Sequence, residues 1–260
     1  MGLALKEFEI RAELLLADIQ FLERSFQLRP RIFEILNYEG TADMVKMATE
    51  FGETSGADPS LFCGPLLVRL IGSFERFLRM VLRDAIESWS KRARNFSELP
   101  DGLGDRNLVL TGRLISSIDA PRDYLKIDAI SLIDNLVTCR DGGGSYQLNP
   151  LAFMDLISGI TPEIVEKGLK AVRIKQWENA VAANKKLQGL LGQTRTVDTS
   201  KEMLVRLKKL SRWRNNWAHG GDEEVSLTFR ELREELDFLI AFGRALDAVV
   251  SSQIQTARLS

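Results

Sequence analysis

The sequence predicts an all-α protein, a bundle of helices. Three observations carry this. Apolar residues recur at helical spacing along most of the chain, strand-type alternation is nearly absent, and helix-start signals stand before several of the apolar runs. Phe8, Leu15, Ile19, Leu22 and Phe26 form one stripe, which Pro30 is expected to end. A shorter helix is expected over about residues 32–51, and residues 52–59 (GETSGADP) read as a turn. The chain therefore divides into an N-terminal helical extension, 1–52, and a larger helical bundle, 53–260. A long helix over about 60–94 carries Leu67, Leu70, Ile71, Phe74, Phe77, Leu78, Val81 and Leu82, a face wide enough for a central bundle helix.

Residues 97–108 (SELPDGLGDRNL) read as a loop. A helix is expected over about 121–139, broken by Asp141-Gly142-Gly143-Gly144-Ser145 and resumed at Asn149-Pro150. Residues 144–148 are the one plausible short extended piece. Thr161-Pro162-Glu163 is a helix start with a capping hydroxyl, proline in the first turn and an early acid. Further helices are expected over about 175–191, and from Thr199 or Ser200 to near His219, where Gly220-Gly221 supplies a stop. The last helix opens on the capping box Thr228-x-x-Glu231 and runs to about Gln255.

Composition bounds function only loosely. The 260 residues are 45% apolar and carry a net charge of -1, so whole-chain charge selects no partner. No run of about 18 apolar residues exists, so no membrane-spanning helix is expected. The acids Glu7, Glu9 and Glu13 interrupt the N-terminal apolar stretch, unlike a secretory signal. Cys63 and Cys139 sit far apart among apolar residues and read as reduced core thiols, which points to the cytoplasm. No glycine loop has a phosphate-binding pattern, no Cys, His and acid cluster has metal-ligand spacing, and no nucleophile elbow accompanies the single histidine. No metal and no cofactor are expected. The paired acids Glu223-Glu224 and Glu234-Glu235 read as solvated charge.

Charge is unevenly distributed. Between Lys170 and Arg214 lie twelve basic and three acidic residues, whereas residues 220–260 hold eight acids and four arginines. The two blocks pair inside the bundle or across a dimer, or simply form solvated faces, or the basic one forms a positive surface that gathers a polyanion near His219. Arg212-Trp213-Arg214 sets aromatic surface beside guanidinium groups, which suits single-stranded RNA. On a helical wheel Arg214 falls within the stripe of Met203, Leu207, Leu210 and Trp217, where an unpaired charge would be costly. Arg214 therefore snorkels, or faces a polar groove or a subunit interface. His219 lies about 140° from it on an unbroken helix, so the two converge only if the helix ends near Ala218 or a second subunit completes the site. On the residues alone, His219 reads equally well as a cap on the helix C-terminus.

The segment Arg214-Asn215-Asn216-Trp217-Ala218-His219 resembles the R-x4-6-H signature of HEPN domains, in which a polar residue, often Asn, follows the arginine. The late helix ending at the motif, the closing helix after it, and the long early helix are also similar to that fold. Ser73-Phe74-Glu75-Arg76-Phe77 is similar to the aromatic-and-acid pattern of the RiboL-PSP-type branch. The resemblance covers about residues 60–255. It implies a helical bundle of HEPN type with additional N-terminal helices.

Many HEPN proteins are metal-independent endoribonucleases of toxin–antitoxin, phage-defence or CRISPR systems, acting as dimers with both motifs in one cleft. The resemblance implies that His219 is general base or acid, that Arg214 holds a phosphate oxygen, and that Asn215 orients the histidine or donates to the phosphate. Lys208, Lys209, Arg212 and Asn216 are the expected RNA contacts. The expected partners are RNA, a second copy of the chain, and an antitoxin or defence-system protein. Two other readings stand beside this one: a non-catalytic HEPN module that binds RNA, a nucleotide or a protein, and a helical protein in which the motif arose by chance.

Overall fold

The structure, a computed structural model, describes residues 2–39, 46, 60–118, 127–139, 145–219 and 227–257. Among them are ten α-helices and no strand: α1 (Leu3–Glu39), α2 (Ser60–Arg92), α3 (Leu103–Ser116), α4 (Ala129–Thr138), α5 (Pro150–Met154), α6 (Pro162–Ala171), α7 (Trp177–Ala182), α8 (Lys185–Leu190), α9 (Thr196–His219) and α10 (Phe229–Thr256). A 3-10 turn at Phe96–Glu98 precedes α3. The all-α expectation holds. No described helix is long and apolar enough to cross a membrane.

Helix α2 is the axis of the bundle. It packs against α1, α10, α9, α5 and α6, which is why its apolar stripe is so wide. Phe74 of α2 lies 5.3 Å from Phe8 of α1 and 5.6 Å from Phe242 of α10, both edge to face. Phe77, Phe238 and Trp177 extend this aromatic cluster. Each such side chain contributes roughly 1.5–3 kcal/mol through burial. Trp89, near the other end of α2, donates its indole N–H to the Val172 carbonyl at 2.9 Å, so its one polar atom is satisfied inside the core.

Several helix boundaries differ from the sequence expectation, each for a local reason. Helix α1 runs across Pro30 to Glu39 instead of ending there. A proline removes one amide from the ladder, which weakens a helix without forbidding its continuation. Residues 40–45 and 47–51 of the expected second helix and the turn at 52–59 lie outside the described residues. Helix α3 occupies much of the segment read as loop. Its inner face, Leu103, Asn107, Leu110, Thr111 and Leu114, has helical spacing, but two of its five positions are polar and hide the pattern.

Those polar groups meet Asn149. Its amide N–H donates to Asn107 Oδ1 at 2.8 Å, its Nδ2 donates to Thr111 Oγ1 and to the Leu132 carbonyl, and its Oδ1 accepts from Asn135. Helix α4 begins only at Ala129, because Asp128 is extended and its carboxylate caps the Ile130 amide; residues 121–126 lie outside the described residues. The helix expected over 175–191 is two helices. Gln176 is left-handed (φ 49°), which delays the start to Trp177, and Asn184 caps Lys186 and Leu187, which restarts the chain at Lys185. Residues 145–148 form no strand.

The starts at Thr161 and Thr228 hold: each threonine hydroxyl accepts from the amide three residues on, and Glu231 returns the bond to Thr228. Helix α9 starts at Thr196, slightly earlier than expected, and reaches His219. Cys63 is buried, Cys139 is half-buried, and neither forms a disulfide with a described residue.

Candidate nucleic-acid interface on helix α9

Helix α9 is anchored by Thr199, Ser200, Met203, Leu207 and Leu210, all buried. At 100° per residue, this face continues through Arg214 and Trp217. Both are half-buried. The Trp217 ring lies flat against the start of α2, at Gly64: a Cβ there would stand 2.2 Å from two of its ring carbons. A glycine on α2 thus lets the motif end of α9 come close.

The opposite face of α9 is wet. Lys208, Arg212, Asn215 and His219 are all exposed. Their spacing of four, three and four residues aligns them in one ridge about three turns long. His219 therefore shares a face with Lys208, Arg212 and Asn215 and not with Arg214. The helix continues through His219, so the early stop that would have turned histidine and arginine together within one chain does not occur. Asn215 joins the two faces: its Oδ1 accepts from Arg214 Nη1 at 3.2 Å.

Arg214 also has a buried acid before it. Glu75 of α2 is 8% exposed and forms an ion pair with Arg79 at 3.5 Å. Burial pushes its carboxyl above the ordinary carboxylate range, while the Arg214 and Arg79 guanidiniums pull the other way without cancelling the rise. Arg79 is itself fixed by donating to the Ile157 carbonyl at 3.0 Å. Glu75 stood in the sequence within the Ser73–Phe77 pattern, but nothing there gave it a role. The signal was present, since an acid in an aromatic stripe needs a cation.

The remaining basic residues divide. Lys208 forms an ion pair with Glu163 of α6 at 3.0 Å. Lys209 reaches Glu235 of α10 at 2.7 Å and stands 4.4 Å above the Trp213 ring. Arg206 takes the other oxygen of Glu235 at 2.6 Å. Glu235 is 2% exposed, so the expectation of solvated charge is wrong for this residue: two cations from α9 compensate its desolvation. Glu223 and Glu224 lie outside the described residues. Part of the basic block therefore pairs with the acidic block inside the bundle. Arg212 makes no ion pair with any described residue. Asn216 is half-buried on the flank of the ridge.

No curated protein and no solved structure matches the chain. A family model does, the RiboL-PSP-HEPN model, over residues 37–252, a span that contains α2, the buried Glu75, the α9 ridge and nearly all of α10. The chain belongs to the RiboL-PSP-HEPN family, a HEPN-type family.

Proposed function

We propose that the chain is a metal-independent endoribonuclease of HEPN type, working as a two-fold dimer in which the α9 ridges of two copies face one RNA. The observation that carries this is the ridge itself. It sets an imidazole, an amide and two cations on one exposed helix face, with a guanidinium behind it that donates to Asn215 and interacts electrostatically with the buried Glu75. Because Arg214 and His219 diverge by about 140° on α9, a phosphate held by one copy's arginine is met by the other copy's histidine. The 2′-hydroxyl of RNA is the nucleophile. His219 of one copy takes its proton, the 2′-oxygen bonds to phosphorus, and the bond to the 5′-oxygen breaks. His219 of the other copy, or water, returns a proton to that oxygen. The products are a 2′,3′-cyclic phosphate and a 5′-hydroxyl, and Arg214 balances the charge on the phosphorane oxygens. Lys208, Lys209, Arg212 and Asn216 guide the strand.

Residues 53–260 form the catalytic bundle in this reading, with residues 1–52 added to it. The setting is cytoplasmic toxin–antitoxin or phage defence, with an antitoxin or defence protein as controlling partner. The test is incubation with total RNA in excess chelator. Wild type yields fragments ending in cyclic phosphate, whereas His219→Ala and Arg214→Ala yield none while keeping helicity and mass. An active His219→Ala chain defeats the assignment. A second reading, a HEPN module that binds RNA or a protein without cutting, is favoured by the engagement of Lys209 and Arg206 with Glu235, which leaves less free charge for a substrate. Binding of labelled RNA by wild type without cleavage would select it.

A further inference from the structure

Helix α1 has two apolar seams. The inner one, Leu5, Phe8, Ala12, Leu15 and Ile19, is buried, and Leu22 and Phe26 continue it half-buried. The outer one is Leu3, Ile10, Leu14, Ala17, Phe21 and Leu28, and all six are exposed, Leu14 by 57% and Phe21 by 70%. Each outer residue is two positions from an inner one, about 200° round the helix. The outer intervals of seven, four, three, four and seven residues are those of a coiled-coil seam, with polar residues only at Glu7 and Arg24. Nothing among the described residues covers this face.

We propose that the outer seam of α1 pairs with the outer seam of a second copy, antiparallel, about a two-fold axis crossing the helix between Leu15 and Leu16. Residues whose numbers sum to 31 then meet across the axis. Leu3 meets Leu28, Ile10 meets Phe21, and Leu14 meets Ala17, each pair twice. The two polar interruptions coincide: Arg24 comes against Glu7, which Arg76 and Arg11 of its own chain already hold at 2.9 and 3.2 Å. On the rim Arg11 comes beside Asp18, whose carboxylate Arg69 holds at 2.7 Å. A parallel pairing would set Arg24 against Arg24 on the seam, whereas the antiparallel register parts the two arginines and brings each to a carboxylate, so charge favours the antiparallel register. The contact extends over residues 3–28, about 39 Å of helix.

This interface is distinct from the pairing of the α9 ridges. Phe26 packs on Phe62 and Phe229, near the end of the bundle where Gly64 meets Trp217. The antiparallel pair holds the two copies of Phe26 about 31 Å apart along the helices. The contact therefore leaves both ridges open and adds a second two-fold to the assembly.

The test measures mass by sedimentation equilibrium on the full chain. Leu14→Glu with Phe21→Glu halves the assembly mass, raising the dissociation constant of this contact at least about a hundredfold, with helicity unchanged. A mixture of Leu3→Cys chains and Leu28→Cys chains, mildly oxidised, gives disulfides between unlike chains. The Leu14→Glu, Phe21→Glu chain retains cleavage per chain if the ridge is catalytic, whereas His219→Ala leaves this mass untouched, so each idea fails by itself. A wild-type chain that stays monomeric at every concentration, a mass unchanged by the two glutamates, or disulfides only between like chains overturns the proposal.

Discussion

Gly64→Ala tests whether the motif end of α9 is set by its contact with α2. An added Cβ would stand 2.2 Å from ring carbons of Trp217, where ordinary contact begins at 3.4 Å, so ring and helix must separate by about 1.2 Å. Overpacking of this kind costs about 1–3 kcal/mol. Alanine would recover up to about 1 kcal/mol of helix propensity, but residue 64 precedes Pro65, where a Cβ opposes the helical conformation. The net is a loss of about 1–2 kcal/mol, or about 2–8 °C in Tm. Under the proposed function cleavage falls more than stability, because Arg214 and His219 flank the displaced tryptophan, and an error of about 1 Å in a reacting group costs about a hundredfold. The assay is single-turnover RNA cleavage beside thermal unfolding. Trp217→Leu in the Gly64→Ala background removes most of the clash and recovers part of the Tm. A Gly64→Ala chain with wild-type cleavage and Tm would show that the glycine does not position the motif.

Other perturbations address separate parts of the molecule. Glu235→Ala leaves Arg206, its side chain 15% exposed, without its counter-charge, and urea unfolding should show a loss of about 3 kcal/mol. Glu75→Gln alters the pH dependence of stability. The folded carboxyl binds its proton more tightly than the unfolded one, so wild-type stability falls as pH rises from the ordinary carboxylate range through the raised value, and glutamine removes that slope. Urea titrations of both chains from about pH 4 to about pH 8 give the difference curve, and a flat difference would refute the burial argument. Asn149→Ala keeps the backbone bond to Asn107 but strands the Thr111 hydroxyl of α3 and the Leu132 carbonyl and Asn135 amide of α4, and a loss of about 2–4 kcal/mol by denaturant unfolding is expected. Thr228→Ala, which empties the cap of α10, should cost about 1 kcal/mol by the same measurement.

The long elements were legible because one rule, apolar residues at helical intervals, operates without interruption in α2, α9 and α10. Caps with a side-chain mechanism, at Thr161 and Thr228, were equally readable. What escaped was decided by partners distant in sequence. Asn107 looks like a loop residue, and Thr111 interrupts the apolar pattern, until Asn149, far along the chain, is folded onto them. Glu235 looks solvated until Arg206 and Lys209 arrive from α9. Gln176 adopts a left-handed backbone that its residue type does not announce. At the site, wheel geometry gave the angle between Arg214 and His219, and the helix running on to His219 keeps the two groups on different faces of one chain. Glu75 was visible only as a pattern, and its closeness to Arg214 needed the packing of α9 on α2.

Asn149 also governs how this part of the bundle moves. One side chain and its own amide fasten α3 and α4 to the start of α5, through three bonds shut away from water and a fourth, from Asn135, that is half-buried. None of these helices can swing outward without breaking several bonds at once, and no solvent stands ready to replace them. Helices α3, α4 and α5 should therefore breathe as a single cooperative unit, their amide protons exchanging at one shared rate and not helix by helix.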